Sequence, residues 1–128
     1  HDINMPYCFN RKEAKDHGEG GTNLGAQLHG KILIIDDVIS AGTSVNLSVE
    51  IIKQAGATIA GATIALDRQE RGESELSAVQ EVEQRHQMSV TSIITLKNMI
   101  EYLEKIPSMS ENLDRIREYR KSYGAAVN

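Results

Sequence analysis

One run constrains this chain more than any other. Ile32, Leu33, Ile34 and Ile35 form its longest uninterrupted apolar stretch, closed by Asp36 and Asp37 and followed by Val38, Ile39, Ser40, Ala41, Gly42, Thr43 and Ser44. A continuous apolar run rich in β-branched residues is the pattern of a strand buried on both faces of a parallel sheet. From Thr43 or Ser44 the spacing turns helical: Val45, Val49 and Ile52 fall at i, i+4 and i+7, and Gly56 after Ala55 suits a C-cap. Strand, turn and helix therefore follow one another directly.

The same alternation continues. Residues 58–66 mix small and β-branched side chains and read as a second strand, with Asp67 and Arg68 at its end. Ser74 can cap a helix over residues 74–86 that puts Leu76, Val79 and Val82 on one face, and residues 90–96 form a third strand. Two more helices, 97–105 and 110–123, are divided by Pro107. Residues 5–9 read as a short strand. Residues 10–25 carry Gly18, Gly20, Gly21 and Gly25 and form a polar, mobile loop. Strands alternating with helices predict an α/β fold over residues 1–128, a single domain with a mainly parallel sheet and helices on both faces.

Composition narrows the function classes. At 40% hydrophobic and 25% charged residues, the chain can bury a core and is not of the disordered type. Its longest apolar run is far short of the ~20 residues of a membrane-spanning helix. His1 to Met5 offer no basic, apolar leader, so a cytoplasmic location is expected and no membrane partner. A net charge of −4 disfavours a nucleic-acid surface. The single cysteine, Cys8, stands between Tyr7 and Phe9 and reads as a small buried hydrophobe. Nevertheless Arg11, Lys12 and Lys15 cluster, which leaves room for a local anion site.

Ligands of open parallel sheets bind beyond the carboxyl ends of the strands, so the residues after each strand carry the functional weight. In the run from Asp36 to Ser44, Ala41 and Gly42 permit close backbone approach, Thr43 and Ser44 offer hydroxyls, and the free amides of a helix N-terminus attract phosphate. Asp36 and Asp37 would repel that phosphate and suit hydroxyl groups or a metal-bound sugar beside it. The bland alternative is that the acids end a strand and the small residues cap a helix. A Walker-type loop is excluded, because no lysine follows the last glycine. Arg68 is either a surface cation near Glu70 or a fork for a carboxylate. His29 sits in a turn, and His86 lies near a helix C-terminus, where a cation suits the dipole. The four histidines show no metal-ligand spacing.

The thirteen residues from Ile32 to Ser44 resemble the signature of type I phosphoribosyltransferases. Tyr7 to Gly21 is similar to the catalytic loop of bacterial orotate phosphoribosyltransferases, and Leu66 to Gly72 to their orotate-contacting segment. The resemblance implies a type I phosphoribosyltransferase core and transfer of ribose 5-phosphate from 5-phosphoribosyl 1-pyrophosphate to orotate, in pyrimidine (UMP) synthesis. It implies that Asp36 and Asp37 contact the ribose hydroxyls, and that Val38, Ile39, Ser40, Ala41, Gly42, Thr43 and Ser44 bind the 5′-phosphate. Arg11, Lys12, Lys15 and His17 would meet pyrophosphate, Lys15, His17 and Asp37 being catalytic. Ser40 and Arg68 would contact orotate. Mg²⁺ would arrive on the substrate's oxygens rather than in a protein cage. A homodimer is implied, with the loop and its Lys12 reaching the partner's site. The family carries further N-terminal residues that supply the first strands and a hood over the base, so this chain is expected to be a C-terminal portion and incomplete for activity alone. Two rivals stay open: a phosphoribosyltransferase for another base, and a non-catalytic regulator that retains the phosphoribosyl site.

Overall fold

Segments of strand and helix character alternate through the middle of the chain, and that alternation gives a parallel sheet because each helix returns the backbone to the end where the previous strand began. The computed structural model describes residues 2–10 and 23–126. Strands β1 (Cys8–Asn10) and β2 (Asn23–Gly25) pair antiparallel, with Phe9 opposite Leu24. Then follow β3 (Lys31–Asp36), α1 (Thr43–Gln54), β4 (Thr58–Asp67), α2 (Ala78–His86) and β5 (Val90–Thr95). These three strands lie in the order β3, β4, β5, and both pairings are parallel. Helix α3 (Leu96–Leu103), a 3-10 turn (Pro107–Met109) and α4 (Ser110–Tyr123) complete the chain. Among the described residues no helix is long and apolar enough to cross a membrane.

Helices α1 and α2 cover one face of the sheet. Val45, Val49 and Ile52 from α1 and Ala78, Val79 and Val82 from α2 pack with Ile34 of β3 and Ala62 and Ile64 of β4. Fully burying a Val or Ile side chain stabilises by about 1.5–3 kcal/mol, so the i, i+4, i+7 stripe of α1 fixes that helix to the sheet.

The other face departs from the expectation. Strand side chains alternate between faces, and Leu33, Ile35 and Ile93 point away from α1 and α2, with exposures of 52%, 79% and 77%. The apolar run therefore does not mean burial on both sides within the described residues. Helices α3 and α4 do not cover that face; they pack on each other around Leu96, Ile100, Leu103 and Leu113.

Several boundaries also move. The first strand is Cys8–Asn10 rather than residues 5–9, and residues 23–25 of the expected loop are strand β2. Asn23, Leu24 and Gly25 carry no local strand signal; their order comes from pairing with β1. Helix α2 is capped by Ser77 and not Ser74, because Ser77 and Gln80 close a reciprocal capping box while the Ser74 hydroxyl is donated to Glu81. Leu76 thus precedes the helix. A second box, Thr95 with Asn98, ends β5 at Thr95 and starts α3 at Leu96, one residue earlier than the pattern suggests. Helix α4 spans the expected residues 110–123.

Candidate functional site

The loop from β3 to α1 is built so that its polar atoms face outward while one side chain anchors it. Ile39 is buried among the core residues, and Ser40 and Ala41 on the rim are exposed. Gly42 sits at φ +70°, the left-handed region that glycine adopts without steric cost. A Cβ there would lie 2.8 Å from Val82 Cγ2, so the turn also needs glycine for the close approach of α2. The first turn of α1 has no side-chain cap, in contrast to the capping boxes of α2 and α3. Its amides are left to a ligand or to water.

A cleft of about 280 Å³ opens over this turn, lined by Asp36, Ser40, Ala41, Gly42, Thr43 and Ser44 among others. The two acids behave differently. Asp36 is half-buried and accepts hydrogen bonds from Ser44 Oγ at 2.6 Å and from the Asp37 amide at 2.9 Å. Asp37 is exposed and accepts from the Val38 amide at 2.7 Å, while its carbonyl ties the loop back to Ala65 and Leu66 of β4. Asp36 is thus fixed by the loop, and Asp37 presents its carboxylate to solvent.

Arg68, just beyond β4, reaches across to this loop. Its Nη2 donates to Ser40 Oγ at 2.5 Å, and its Nε lies 3.0 Å from Glu70 Oε1. The Nε hydrogen does not point along the second vector, so that contact is an ion pair rather than an aligned hydrogen bond. The two readings of Arg68 are therefore not exclusive: it pairs with Glu70 and also stands at the cleft. Glu70 in turn accepts from the hydroxyl of Tyr119 on α4. Neither Glu70 nor Tyr119 figured as a site residue in the sequence, and Tyr119 lies 49 positions away from its partner with no local signal to reveal it.

Of the residues assigned from sequence, Asp36, Val38, Ile39, Ser40, Ala41, Gly42, Thr43 and Ser44 line the cleft and Arg68 is tied to it through Ser40, whereas Asp37 is not among the lining residues. Arg11, Lys12, Lys15 and His17 lie outside the described residues. Cys8 is a free thiol, half-buried rather than buried. His86 is half-buried: its ring Nε2 donates to Asn46 Oδ1 at 2.6 Å, and burial, followed by the nearby Lys53 and Arg85, lowers its pKa against a weaker opposing effect of Glu50. Among the described residues no three His, Cys, Asp or Glu side chains gather as a metal set.

Two other concavities fit an anionic ligand poorly. One, between the β1–β2 pair and β3, is walled by Phe9, Leu28, Ile32 and Ile51 and holds about 160 Å³. The other, about 450 Å³, is lined by Asp67, Glu75 and Glu83 with no cation among its lining residues.

No family model matches the chain. Its sequence is 57% identical over 124 residues to an orotate phosphoribosyltransferase of Escherichia coli, across 97% of this chain and 58% of that protein. Over nearly its whole length the chain is similar to orotate phosphoribosyltransferases. The enzyme of that name from Shigella boydii is 56% identical over the same 124 residues. The crystal structure of the Francisella tularensis orotate phosphoribosyltransferase superposes with a TM-score of 0.75 and 34% identity, over 97% of this chain and 58% of that one. The α/β fold described above is thus that of the matching part of those enzymes. The chain spans a little under three-fifths of the length of the relatives it matches.

Proposed function

We propose that this chain forms the phosphoribosyl-binding part of an orotate phosphoribosyltransferase, which joins orotate to the ribose 5-phosphate of 5-phosphoribosyl 1-pyrophosphate, giving orotidine 5′-monophosphate and pyrophosphate. One observation carries this reading: the 2.5 Å bond from Arg68 to Ser40 sets a cation suited to a carboxylate-bearing base beside a loop suited to a phosphate. The 5′-phosphate sits over the uncapped first turn of α1, held by the amides and hydroxyls of residues 40–44. Asp37, with Asp36 behind it, accepts hydrogen bonds from the ribose diol. Orotate's carboxylate meets Arg68.

In the reaction the C1′–O bond to pyrophosphate breaks, a bond forms from C1′ to the ring nitrogen of orotate, and the proton of that nitrogen is released. The transition state places positive charge near C1′ and negative charge on the leaving pyrophosphate. Asp37 stands on the ribose side, and Arg11, Lys12, Lys15 and His17, which the resemblance assigns to pyrophosphate, neutralise the other. Anchoring the phosphate end orients C1′ before chemistry begins. The oxygen-rich pair Asp36 and Asp37 suits a hard cation, and Mg²⁺ carried on the pyrophosphate would supply further charge neutralisation. A homodimer in which Lys12 serves the neighbouring site is part of this proposal, as is a cytoplasmic location, where the water-soluble substrates would be found.

The test is a steady-state assay, with orotate, uracil and hypoxanthine, of the full-length protein that carries this chain. Turnover of orotate alone supports the proposal; turnover of another base instead moves the chain to a different phosphoribosyltransferase, and binding of 5-phosphoribosyl 1-pyrophosphate without turnover makes it a regulator. In the same assay Arg68→Ala should raise KM for orotate far more than KM for 5-phosphoribosyl 1-pyrophosphate, because the fork meets only the base.

A further inference from the structure

An arginine that must hold a small planar ligand loses much of its value if its long side chain wanders, since ordering it costs rotamer entropy at each binding event. Arg68 does not face that cost alone. Its Nε is drawn to Glu70 Oε1 at 3.0 Å, and Glu70, whose side chain is only 15% exposed, is itself held by the Tyr119 hydroxyl. Tyr119 belongs to α4, and the end of that helix is bound to the same segment. The Arg71 amide donates to the Tyr123 carbonyl and the Ala125 amide to the Gln69 carbonyl, each at 2.9 Å. Gln69 takes a left-handed φ of +53°, and its amide donates to the Asp67 carboxylate at 2.8 Å, which turns the chain sharply between Arg68 and Glu70. The Tyr119 ring packs against Tyr123 at 5.0 Å between centroids. Helix α4 thereby buttresses a segment that lies far from it in sequence.

We infer that Glu70 and Tyr119 are positioning residues for base recognition: through Arg68 they set the affinity for the carboxylate of the base. This rests on the proposed reading of the site. Glu70 carries the same charge as the incoming carboxylate and could compete for Arg68. Tyr119 fixes Glu70 at the Nε side of the guanidinium, and Ser40 takes one Nη2 hydrogen. Arg68 Nη1 is then left to face the ligand in a set orientation. Without the tyrosine hydroxyl, Glu70 is released to swing across the guanidinium, and the substrate carboxylate must displace it. A base that lacks the carboxylate does not feel this change.

The experiment compares the wild type of the full-length protein that carries this chain with Tyr119→Phe, Glu70→Gln and Arg68→Ala, and with the Tyr119→Phe/Arg68→Ala double variant. KM and kcat are measured for orotate and for 5-phosphoribosyl 1-pyrophosphate, and uracil, as the base without a carboxylate, is followed by its inhibition constant against orotate. Losing a hydrogen bond to a charged group should raise KM for orotate in Tyr119→Phe roughly 10-fold. KM for 5-phosphoribosyl 1-pyrophosphate should stay unchanged, so that the preference for orotate over uracil narrows. In the Arg68→Ala background the same substitution should have no further effect on orotate, because two residues acting through one contact are not additive. Glu70→Gln, which keeps a hydrogen-bond acceptor but removes the competing charge, should be milder than Tyr119→Phe. Equal losses for both bases, or an additive double variant, would mean a merely structural role and overturn the inference while leaving the proposed function intact. A wild type that turns over no orotate overturns both.

Discussion

Ser44 Oγ donates a 2.6 Å hydrogen bond to Asp36 Oδ2, locking the first turn of α1 to the last residue of β3. The hydroxyl that flanks the cleft and the first acid of the pair are therefore tied together. This bond spends one of the oxygens of Asp36 inside the protein, whereas Asp37 is exposed on the loop.

The diol assignment leads to a direct expectation. Replacing Asp36 and Asp37 together by Asn should weaken binding of 5-phosphoribosyl 1-pyrophosphate by roughly 10-fold or more, since hydrogen bonds to charged groups contribute about 1.5–3 kcal/mol each. Titration calorimetry of the full-length protein that carries this chain, with Mg²⁺ present, measures it. Unchanged affinity would remove both acids from the sugar site.

Gly42 is the steric hinge of the loop. Gly42→Ala places a methyl group in a left-handed conformation, which costs about 1–2 kcal/mol, and drives it against Val82 at 2.8 Å. Urea unfolding should show a loss of at least that size, and phosphate-containing ligands should bind more weakly. A neighbouring change on the exposed rim, Ala41→Ser, should leave stability within about 0.5 kcal/mol. Equal stability of the two variants would show that the turn tolerates a side chain.

Lys15 lies outside the described residues, and its role comes from the resemblance of its loop. If it meets charge that develops as the C1′–O bond breaks, Lys15→Ala should lower kcat by on the order of 10²-fold, with a smaller change in ground-state affinity. Single-turnover rates paired with equilibrium binding separate the two. Normal bond breaking with weak binding would make Lys15 a substrate-holding residue and shift the catalytic role to His17.

His86 gives the fold a pH dependence of known sign. Burial, with Lys53 and Arg85, depresses its pKa below the ordinary value of about 6.5. The unfolded chain then binds more protons than the folded one in the window below that value. The stability linked to His86 is therefore fully present above about pH 6.5 and is lost as pH falls through the folded pKa. Thermal unfolding from about pH 7.5 down to about pH 5.5 should show a falling midpoint, and His86→Gln, which can still bond to Asn46, should flatten that fall. An identical slope in the variant would assign the dependence to other groups.

Short-range patterns alone determined much of this protein. The apolar run of β3, the acids that end it, the Val45, Val49 and Ile52 stripe of α1 and the limits of α4 are all legible in sequence, because each follows from a periodicity or a breaker within a few residues. The turn between β3 and α1 was legible for the same reason, as its glycine, hydroxyls and acids follow one another closely. Tertiary structure decided the rest. Only packing showed that α1 and α2 cover one face of the sheet while Leu33 and Ile35 remain exposed on the other, since an apolar strand does not say which of its faces finds a helix. The packing of α2 on α1, which no local pattern announces, brought His86 to Asn46. The bonds from Arg68 to Ser40 and from Tyr119 to Glu70 join positions 28 and 49 residues apart. A contact of that separation depends on how whole elements dock, and the side chains that make it carry no mark of it in their own neighbourhood.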